Sequence, residues 1–130
     1  MSSRPLLQPQ PVIGSNSGVS GDMSQASITS LVTIISNISM MSYSYSWSGT
    51  SPVGTIDVQV SNDYTQNAAG AVLNAGTWNS LPLSTAPTVS GNTGSGLIDI
   101  DQLGSFAIRT VYTKGSGTGT LTAIFKGKVS

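Results

Sequence analysis

The stretch YSYSWSGTSPVGTIDVQVSND, residues 43–63, alternates between large apolar side chains and small polar ones with almost no interruption. Its two tyrosines and Trp47 fall on one face of an extended chain and the serines on the other, because successive side chains of a β-strand point to opposite faces. After turn residues at 49–54, Ile56 and Val58 resume the alternation. The stretch therefore predicts β-structure with one buried face.

The same alternation recurs on both sides of this stretch. Toward the C-terminus it returns in LIDID (97–101), FAIRTVYTK (106–114) and TLTAIFKGKVS (120–130), and the glycine-rich run 115–119 predicts a hairpin turn between the last two. Upstream, the β-branched run SITSLVTIIS (27–36) predicts a further strand. We therefore expect an all-β fold of about seven or eight strands, arranged as an antiparallel, jelly-roll-like β-sandwich.

The apolar positions of the predicted strands should meet in one core between two sheets. Two polar segments separate the strands: residues 85–96, which predict turns, and residues 64–76, which form the longest predicted loop and the place where we expect variable contacts. The predicted core residues are Tyr45, Trp47, Ile56, Val58, Ile108, Tyr112, Leu121 and Phe125.

The N-terminal segment differs from the rest of the chain in composition. Residues 1–25 are rich in Pro, Gly, Ser and Gln and show no period. The predicted boundary therefore separates an extended arm, residues 1–25, from a β-sandwich domain, residues 26–130. Such a segment is often disordered alone, but apolar anchors within it suggest that it becomes ordered on a neighbouring subunit. The anchors are Leu6, Leu7, Val12 and Ile13.

The chain has few charges and no net charge. Only 8% of its residues are charged, against ~25% in a typical soluble domain, and it contains no Glu, His or Cys. This composition suits a subunit packed into an assembly, or displayed on an outer surface, better than a freely diffusing monomer, which usually carries net charge. The sequence contains no basic patch, so we predict no nucleic-acid partner. It also contains no apolar run long enough for a membrane-spanning helix, so we predict no membrane partner.

The residue inventory argues against an enzyme. Without His, Cys or Glu, most acid–base and nucleophilic arrangements cannot be built. Asp99 and Asp101 share one strand face and could form a carboxylate pair, although two solvated acids on an edge strand are the simpler interpretation. Asp57 and Asp63 offer oxygen ligands for calcium, but no EF-hand spacing is present and Asn62 with Asp63 is typical of a turn. We predict no catalytic residue, no metal site and no cofactor.

Two further groups of side chains are candidates for contacts with a partner. Trp78 and Tyr64 lie near the longest loop, and β-sandwiches can hold sugars on such rings, so a carbohydrate-binding module is the alternative prediction. The C-terminal region is mildly basic, which predicts either charge that protects edge strands or a contact with an acidic neighbour. Its bases are Arg109, Lys114, Lys126 and Lys128.

The order of motifs carries a family resemblance. SYSYSWSGTSPVGTIDVQVSND (42–63) is followed by WNSLP (78–82), LIDI (97–100) and FAIRTVYTKGSGTGTLTAIFKGK (106–128). This order resembles a β-sandwich module of bacteriophage virion structural proteins, of the capsid-decoration, minor-capsid or fibre type. The resemblance spans about residues 38–128, and the loop 64–76 departs from it by being expanded.

The resemblance implies a non-enzymatic role in a virus particle. We therefore expect a capsid-associated structural protein that is assembled in the host cytoplasm and displayed on the extracellular particle, with other virion proteins as partners. Closed symmetry is the usual case for such subunits, so a homo-oligomer is expected, with a trimer as one candidate. The alternative is a carbohydrate-binding adhesin or receptor-binding tip, with a glycan as its partner.

Overall fold

The computed structural model describes residues 10–14, 17–34, 40–69, 71–81, 87–100 and 107–128. These residues form strands and no helix, so none of them forms a helix that could cross a membrane. The all-β, antiparallel prediction is thus confirmed. The strands are β1 (Gln10–Ile13), β2 (Ser27–Thr29), β3 (Thr33–Ile34), β4 (Met40–Ser61), β5 (Thr65–Gln66), β6 (Val72–Asn74), β7 (Asn79–Ser80), β8 (Thr88–Val89), β9 (Thr93–Ile100) and β10 (Ala107–Lys128).

Two long strands form the axis of the fold. β4 and β10 each contain 22 residues and pair antiparallel along almost their whole length. β1, β2 and β3 flank β10, whereas β7, β8 and β9 flank β4, and together they make one eight-stranded sheet. β5 and β6 form a separate two-stranded ribbon.

The long strand pair folds over on itself and makes two layers. Thr110 Oγ1 donates to the hydroxyl of Tyr43 at 3.0 Å, while the register partner of Thr110 on β4 is Val58. Positions 43 and 58 would be about 50 Å apart along a straight strand. The first half of β4, with β9, β1 and the end of β10, therefore faces the second half of β4, with β7, β8, β2, β3 and the start of β10. This is the packing of a β-sandwich.

The fold-over occurs where the sequence predicts turns. The runs 49–54 and 115–119 lie opposite each other in the register, and β10 shifts its pairing with β4 twice within its run. Gly117 has a φ of 78°, which suits glycine, and a side chain there would meet the Ser51 carbonyl oxygen. The predicted hairpin at 115–119 is therefore wrong: glycines and bulges bend a continuous strand pair there and do not reverse it.

The alternation rule predicts the core correctly. Tyr43 and Phe125 pack at the centre with ring centroids 4.9 Å apart, and both are fully buried. Of the eight predicted core residues, all but Trp47 are buried, and Trp47 is half-buried against the core edge. Its ring stacks on Tyr45 at 5.9 Å, and its Nε1 donates to the carbonyl of Gly91.

Part of the segment predicted to be turns is a strand. Residues 93–96, TGSG, continue into β9 and pair with the ring-bearing half of β4. Gly94 and Gly96 lie against the Trp47 and Tyr45 rings, and a Cβ at Gly96 would clash with the Tyr45 ring. The rings of β4 thus cover the space that the glycines leave on β9, which allows a glycine-rich segment to remain in the sheet.

The described part of the predicted arm belongs to the domain. Residues 10–13 form β1, which pairs with β10, so the boundary predicted near residue 25 does not separate two units there. Val12 and Ile13, predicted to contact a neighbour, are 0% and 1% exposed in the core of their own chain. Burial of their apolar side chains in the chain's own sandwich accounts for this placement. Leu6 and Leu7 lie outside the described residues.

Candidate interaction surfaces

The two rings predicted to face a ligand lie against each other at the base of the β5–β6 ribbon. Tyr64 and Trp78 have ring centroids 5.8 Å apart with planes inclined by 55°. Tyr64 is buried rather than open to a ligand, and its hydroxyl donates to Gln66 Oε1 at 3.0 Å. Trp78 is half-buried, and its Nε1 donates to the carbonyl of Ala75 at 2.9 Å. The pair therefore anchors the ribbon to the sandwich.

A basic side chain covers the Trp78 ring. The Arg109 guanidinium carbon lies 4.3 Å from the ring centroid, a cation–π contact. Arg109 Nε donates to Gln59 Oε1 at 2.8 Å, and Gln59 in turn donates to Asp57, which also accepts from Ser80. Partial burial lowers the pKa of Arg109 below its ordinary value, and the guanidinium nevertheless stays charged at neutral pH. Arg109 and Asp57 are thus members of a connected network on the outer face of the second layer.

Two polar side chains shape the ribbon itself. Asp63 accepts from the main-chain nitrogen of Thr77 at 2.7 Å and from the Ser61 hydroxyl at 2.9 Å. These hydrogen bonds, that from Thr77 foremost, lower the pKa of the Asp63 carboxyl. At the ribbon tip, Asn67 Oδ1 accepts from the main-chain nitrogens of Ala69 and Ala71. The segment predicted as a variable loop is therefore a braced hairpin, and Asp63 holds its base by accepting from Thr77 on the far side of the ribbon.

The ribbon presents two apolar side chains to solvent. Val72 is 55% exposed and Leu73 is 68% exposed. As neighbours on a strand, they point to opposite faces of a two-stranded ribbon. In a β-sheet that covers a core, one of these faces would be buried. Here both faces remain open, so the ribbon is an apolar projection held on a fixed base.

The outer face of the first layer presents a row of small hydroxyl side chains from β4. We call it the serine face; its β4 residues are Ser42, Ser44, Ser46 and Ser48, which alternate with the buried rings as predicted. A groove of about 440 Å³ crosses it, with Leu97 and Ile124 exposed on either side of Ser44. Leu97 is 62% exposed and Ile124 is 39% exposed. The face therefore combines hydroxyl groups with an apolar rim.

The predicted acids and bases are dispersed. Asp99 accepts from the Ser42 hydroxyl at 2.6 Å on the serine face, and Asp101 lies outside the described residues. Lys114 Nζ donates to the Ser24 carbonyl, whereas Lys126 is exposed on β10. Within the part of the chain that the structure describes, no cluster of three or more His, Cys, Asp or Glu could hold a metal ion.

No known protein family matches the chain, and no curated protein sequence matches it.

Proposed function

We propose that this protein is a non-enzymatic structural protein of a bacteriophage virion, a capsid-associated β-sandwich of the decoration, cement, minor-capsid or head-fibre kind. It acts by adhesion to neighbouring virion proteins on the particle. The order of sequence motifs supports this proposal, as does a net-neutral chain with only 8% charged residues. The all-β fold is compatible with it.

The observation that carries the proposal is the β5–β6 ribbon. A large apolar side chain contributes roughly 1.5–3 kcal/mol when it is moved from water into a contact. Val72 and Leu73 are mostly exposed on a ribbon whose base is fixed by Tyr64, Trp78 and Asp63. A preorganised apolar projection loses little entropy on docking, and several copies on one particle would add their contacts.

The N-terminal arm retains a smaller role in this proposal. Val12 and Ile13 belong to the core of their own chain, so they are no longer assigned to a neighbour. Leu6 and Leu7, in residues 1–9, remain the proposed arm contacts. The proposed anchoring surface is therefore the β5–β6 ribbon together with residues 1–9.

The test begins with particles purified from the producing host. Mass spectrometry should detect the protein as a stoichiometric component. Particles should then be assembled with the double variant Val72→Ser and Leu73→Ser supplied in place of the natural protein. We expect incorporation to fall at least about tenfold, because the apolar contact of two side chains is lost at each site.

The matched control is the double variant Ala68→Ser and Ala69→Ser, on the exposed tip of the same ribbon. It adds hydroxyl groups without removing a large apolar side chain and should incorporate normally. Thermal unfolding should be the same for both variants. Absence of the protein from purified particles would refute the virion role, and normal incorporation of the Val72, Leu73 variant would refute the role of the ribbon.

A carbohydrate-binding module is the second candidate, and one arrangement favours it. Half-buried Trp78 contacts the Arg109 guanidinium, and Arg109 is linked through Gln59 to Asp57, so a partly exposed ring lies near groups that can hydrogen-bond to sugar hydroxyls. A glycan array should then show binding that disappears on Trp78→Ala and persists on Leu73→Ala. Absence of binding by the natural protein would exclude this candidate.

A further inference from the structure

Within the described residues, β9 is the outermost strand of the first layer on the side away from β1. Among the described residues it pairs with β4 alone. The opposite edge of the layer is β1, where the Val12 carbonyl accepts from the main-chain nitrogen of Leu31 at 3.1 Å and so joins the second layer. A further strand can therefore add to the first layer at β9.

The main-chain groups that face away from β4 can be identified by alternation. Gly49 N donates to the carbonyl of Asn92 at 2.7 Å, and the register continues without a shift from Ser48 opposite Thr93 to Met41 opposite Ile100. Hydrogen-bonded and non-hydrogen-bonded pairs alternate in an antiparallel ladder. The even-numbered residues of β9 therefore bond to β4. The outward groups belong to Thr93, Ser95, Leu97 and Asp99, whose side chains lie on the serine face.

This edge lacks the usual devices that prevent strand pairing. Exposed edges are commonly blocked by Lys, Pro or a bulge. The sequence of β9, TGSGLIDI, contains no Lys and no Pro, and its pairing with β4 has no bulge. Its one charge, Asp99, lies near the end of the strand and accepts from Ser42. Leu97 stands exposed at mid-strand.

We propose that β9 pairs with β9 of a second copy of this chain, antiparallel about a two-fold axis at Leu97. In this register the outward main-chain groups of both strands meet as hydrogen-bonded pairs. The two Leu97 side chains contact each other on the axis. Each Asp99 faces a serine, Ser95 of the second copy, so the two carboxylates stay about 13 Å apart.

Side-chain contacts favour this register over its two neighbours. An axis at Ile98 would set each Leu97 opposite the charged Asp99 of the second copy. On the inner face, the axis at Leu97 sets Gly96 opposite Ile98 of the second copy, so no two large side chains are forced together there. An axis at Gly96 would also align the hydrogen bonds, but it would set two glycines opposite each other and Leu97 opposite Ser95. That register buries less apolar surface.

The pairing has consequences for the whole assembly. Two first layers would join into one sheet across the axis, and the two serine faces would form one continuous surface. Antiparallel self-pairing has two-fold symmetry, so this interface yields a dimer and not the trimer suggested by the sequence. The inference deepens the proposed structural role by naming one of its contacts. Because it is tested on the purified protein, its failure is distinct from absence of the protein from particles.

The first test introduces a single cysteine into each variant. Because the natural chain contains no cysteine, any disulfide that forms must involve the introduced residue. Leu97→Cys should form an intermolecular disulfide under mild oxidation, since residues opposite each other in a ladder have Cα atoms about 5.5 Å apart. Leu73→Cys is the matched control, similarly exposed on the β5–β6 ribbon, and should form no intermolecular disulfide. Ser95→Cys and Asp99→Cys should not cross-link to themselves, but the two variants should cross-link when mixed.

The second test introduces a positive or a negative charge opposite Asp99 of the second copy. Ser95→Lys sets a lysine opposite Asp99 of the second copy and should tighten the dimer, by roughly two- to tenfold in Kd over the two symmetric pairs. Ser95→Asp should weaken it by a similar factor. Sedimentation velocity at low salt measures both, and the differences should shrink in high salt. Leu97→Lys should give a monomer, whereas Leu73→Lys should not change the oligomeric state.

Three results would overturn the inference. The first is equal cross-linking of Leu97→Cys and Leu73→Cys, which would indicate random collision. The second is an oligomer that survives Leu97→Lys, which would place the interface elsewhere. The third is a natural protein that stays monomeric at all concentrations while Leu97→Cys does not cross-link.

Discussion

The hydroxyl groups of Tyr43 and Thr110 meet in the core and connect the two layers. Both side chains are fully buried, and Thr110 Oγ1 donates to the Tyr43 hydroxyl. Within the described residues, no buried side-chain nitrogen or oxygen lacks a hydrogen-bond partner. A buried hydroxyl left without a partner costs about 1–3 kcal/mol, whereas removing both members of a pair can be nearly neutral. The pair is therefore a sensitive probe of how the layers pack.

We expect strong coupling in a double-mutant cycle at this pair. Tyr43→Phe and Thr110→Val should each lower the free energy of unfolding by about 1–3 kcal/mol, because each leaves one buried hydroxyl unpaired. The double variant should lose less than the sum of the two single losses. Urea unfolding of the four proteins measures the coupling. Strictly additive losses would show that the two hydroxyls do not interact.

The burial of Tyr43 also leads us to expect that the free energy of unfolding changes with pH in the alkaline range. Burial raises the pKa of Tyr43 above its ordinary value of 10.0, and burial raises the pKa of Tyr45 and Tyr112 in the same direction. Above pH 10 the unfolded chain releases tyrosine protons that the folded chain keeps, so the free energy of unfolding should fall as pH rises. Below pH 10 this contribution is fully present. Tyr43→Phe should make the decline shallower in urea titrations between pH 9 and pH 11.

A non-titrating neighbour provides the control for this pH dependence. Phe125 packs on Tyr43 with ring centroids 4.9 Å apart. Phe125→Leu should lower the free energy of unfolding by a similar amount at every pH and leave the alkaline slope unchanged. An unchanged slope in Tyr43→Phe as well would mean that Tyr43 ionises in the folded protein as readily as in the unfolded chain.

At the scale of elements, the sequence predicts strands better than it predicts their connections. The ring–serine alternation at 43–48 correctly indicates a strand with one buried face, because period two has no other simple interpretation. The glycine-rich runs 49–54 and 115–119 predict turns, yet both lie inside continuous strands. Gly, Ser and Pro allow a strand either to reverse its direction in a turn or to bend and continue. The outcome depends on the partner strand, which here carries its own flexible run directly opposite.

The candidate surfaces are harder to predict from the sequence than the strands are. Tyr64, Trp78 and Arg109 are well separated along the chain and meet only because β4 and β10 pair in one register. No local pattern contains that information. The exposure of Leu73 likewise follows from the ribbon lying outside the main sheet, whereas its sequence alone predicts a loop.

The bend in β10 gives a prediction for Gly117. Gly117→Ala should lower the free energy of unfolding through a strained positive φ and through a Cβ that would lie 2.7 Å from the Pro52 Cα. Gly18 is a matched control: its φ is 79°, but nothing lies within 4 Å of the position that a Cβ would take. Gly18→Ala should cost about 1–2 kcal/mol from strain alone. Gly117→Ala should cost clearly more, and equal losses in urea unfolding would mean that the bend tolerates a side chain.

At the scale of the whole molecule, the N-terminal segment belongs partly to the sandwich. The described core begins at Val12 and includes Ile13 and Met23, each at most 1% exposed. The segment 21–23 also pairs with β10, where Leu121 N donates to the carbonyl of Gly21 and Met23 N donates to that of Gly119. Composition alone suggests one uniform arm, because Pro, Gly and Ser dominate both its described and its remaining residues. The burial of Val12, Ile13 and Met23 nevertheless places this part of the segment in the sandwich.

Two truncations should therefore behave differently. If residues 2–9 bind a neighbour and not their own sandwich, as proposed, their deletion should leave the unfolding temperature unchanged. Deletion of residues 2–25 removes three buried side chains, worth more than about 4 kcal/mol at roughly 1.5–3 kcal/mol each, and it also exposes the β10 edge. This longer truncation should unfold at a much lower temperature or aggregate, as measured by thermal unfolding and light scattering.

The shorter truncation is consequently the informative one for assembly. If residues 1–9 bind a neighbour through Leu6 and Leu7, the protein lacking residues 2–9 should remain folded and yet be depleted from purified particles. The double variant Leu6→Ser and Leu7→Ser should reproduce that depletion, whereas Gln8→Ser should not. Normal incorporation of the shorter truncation would remove the arm from the proposed contacts and leave the β5–β6 ribbon and the β9 edge as the surfaces that bind neighbours.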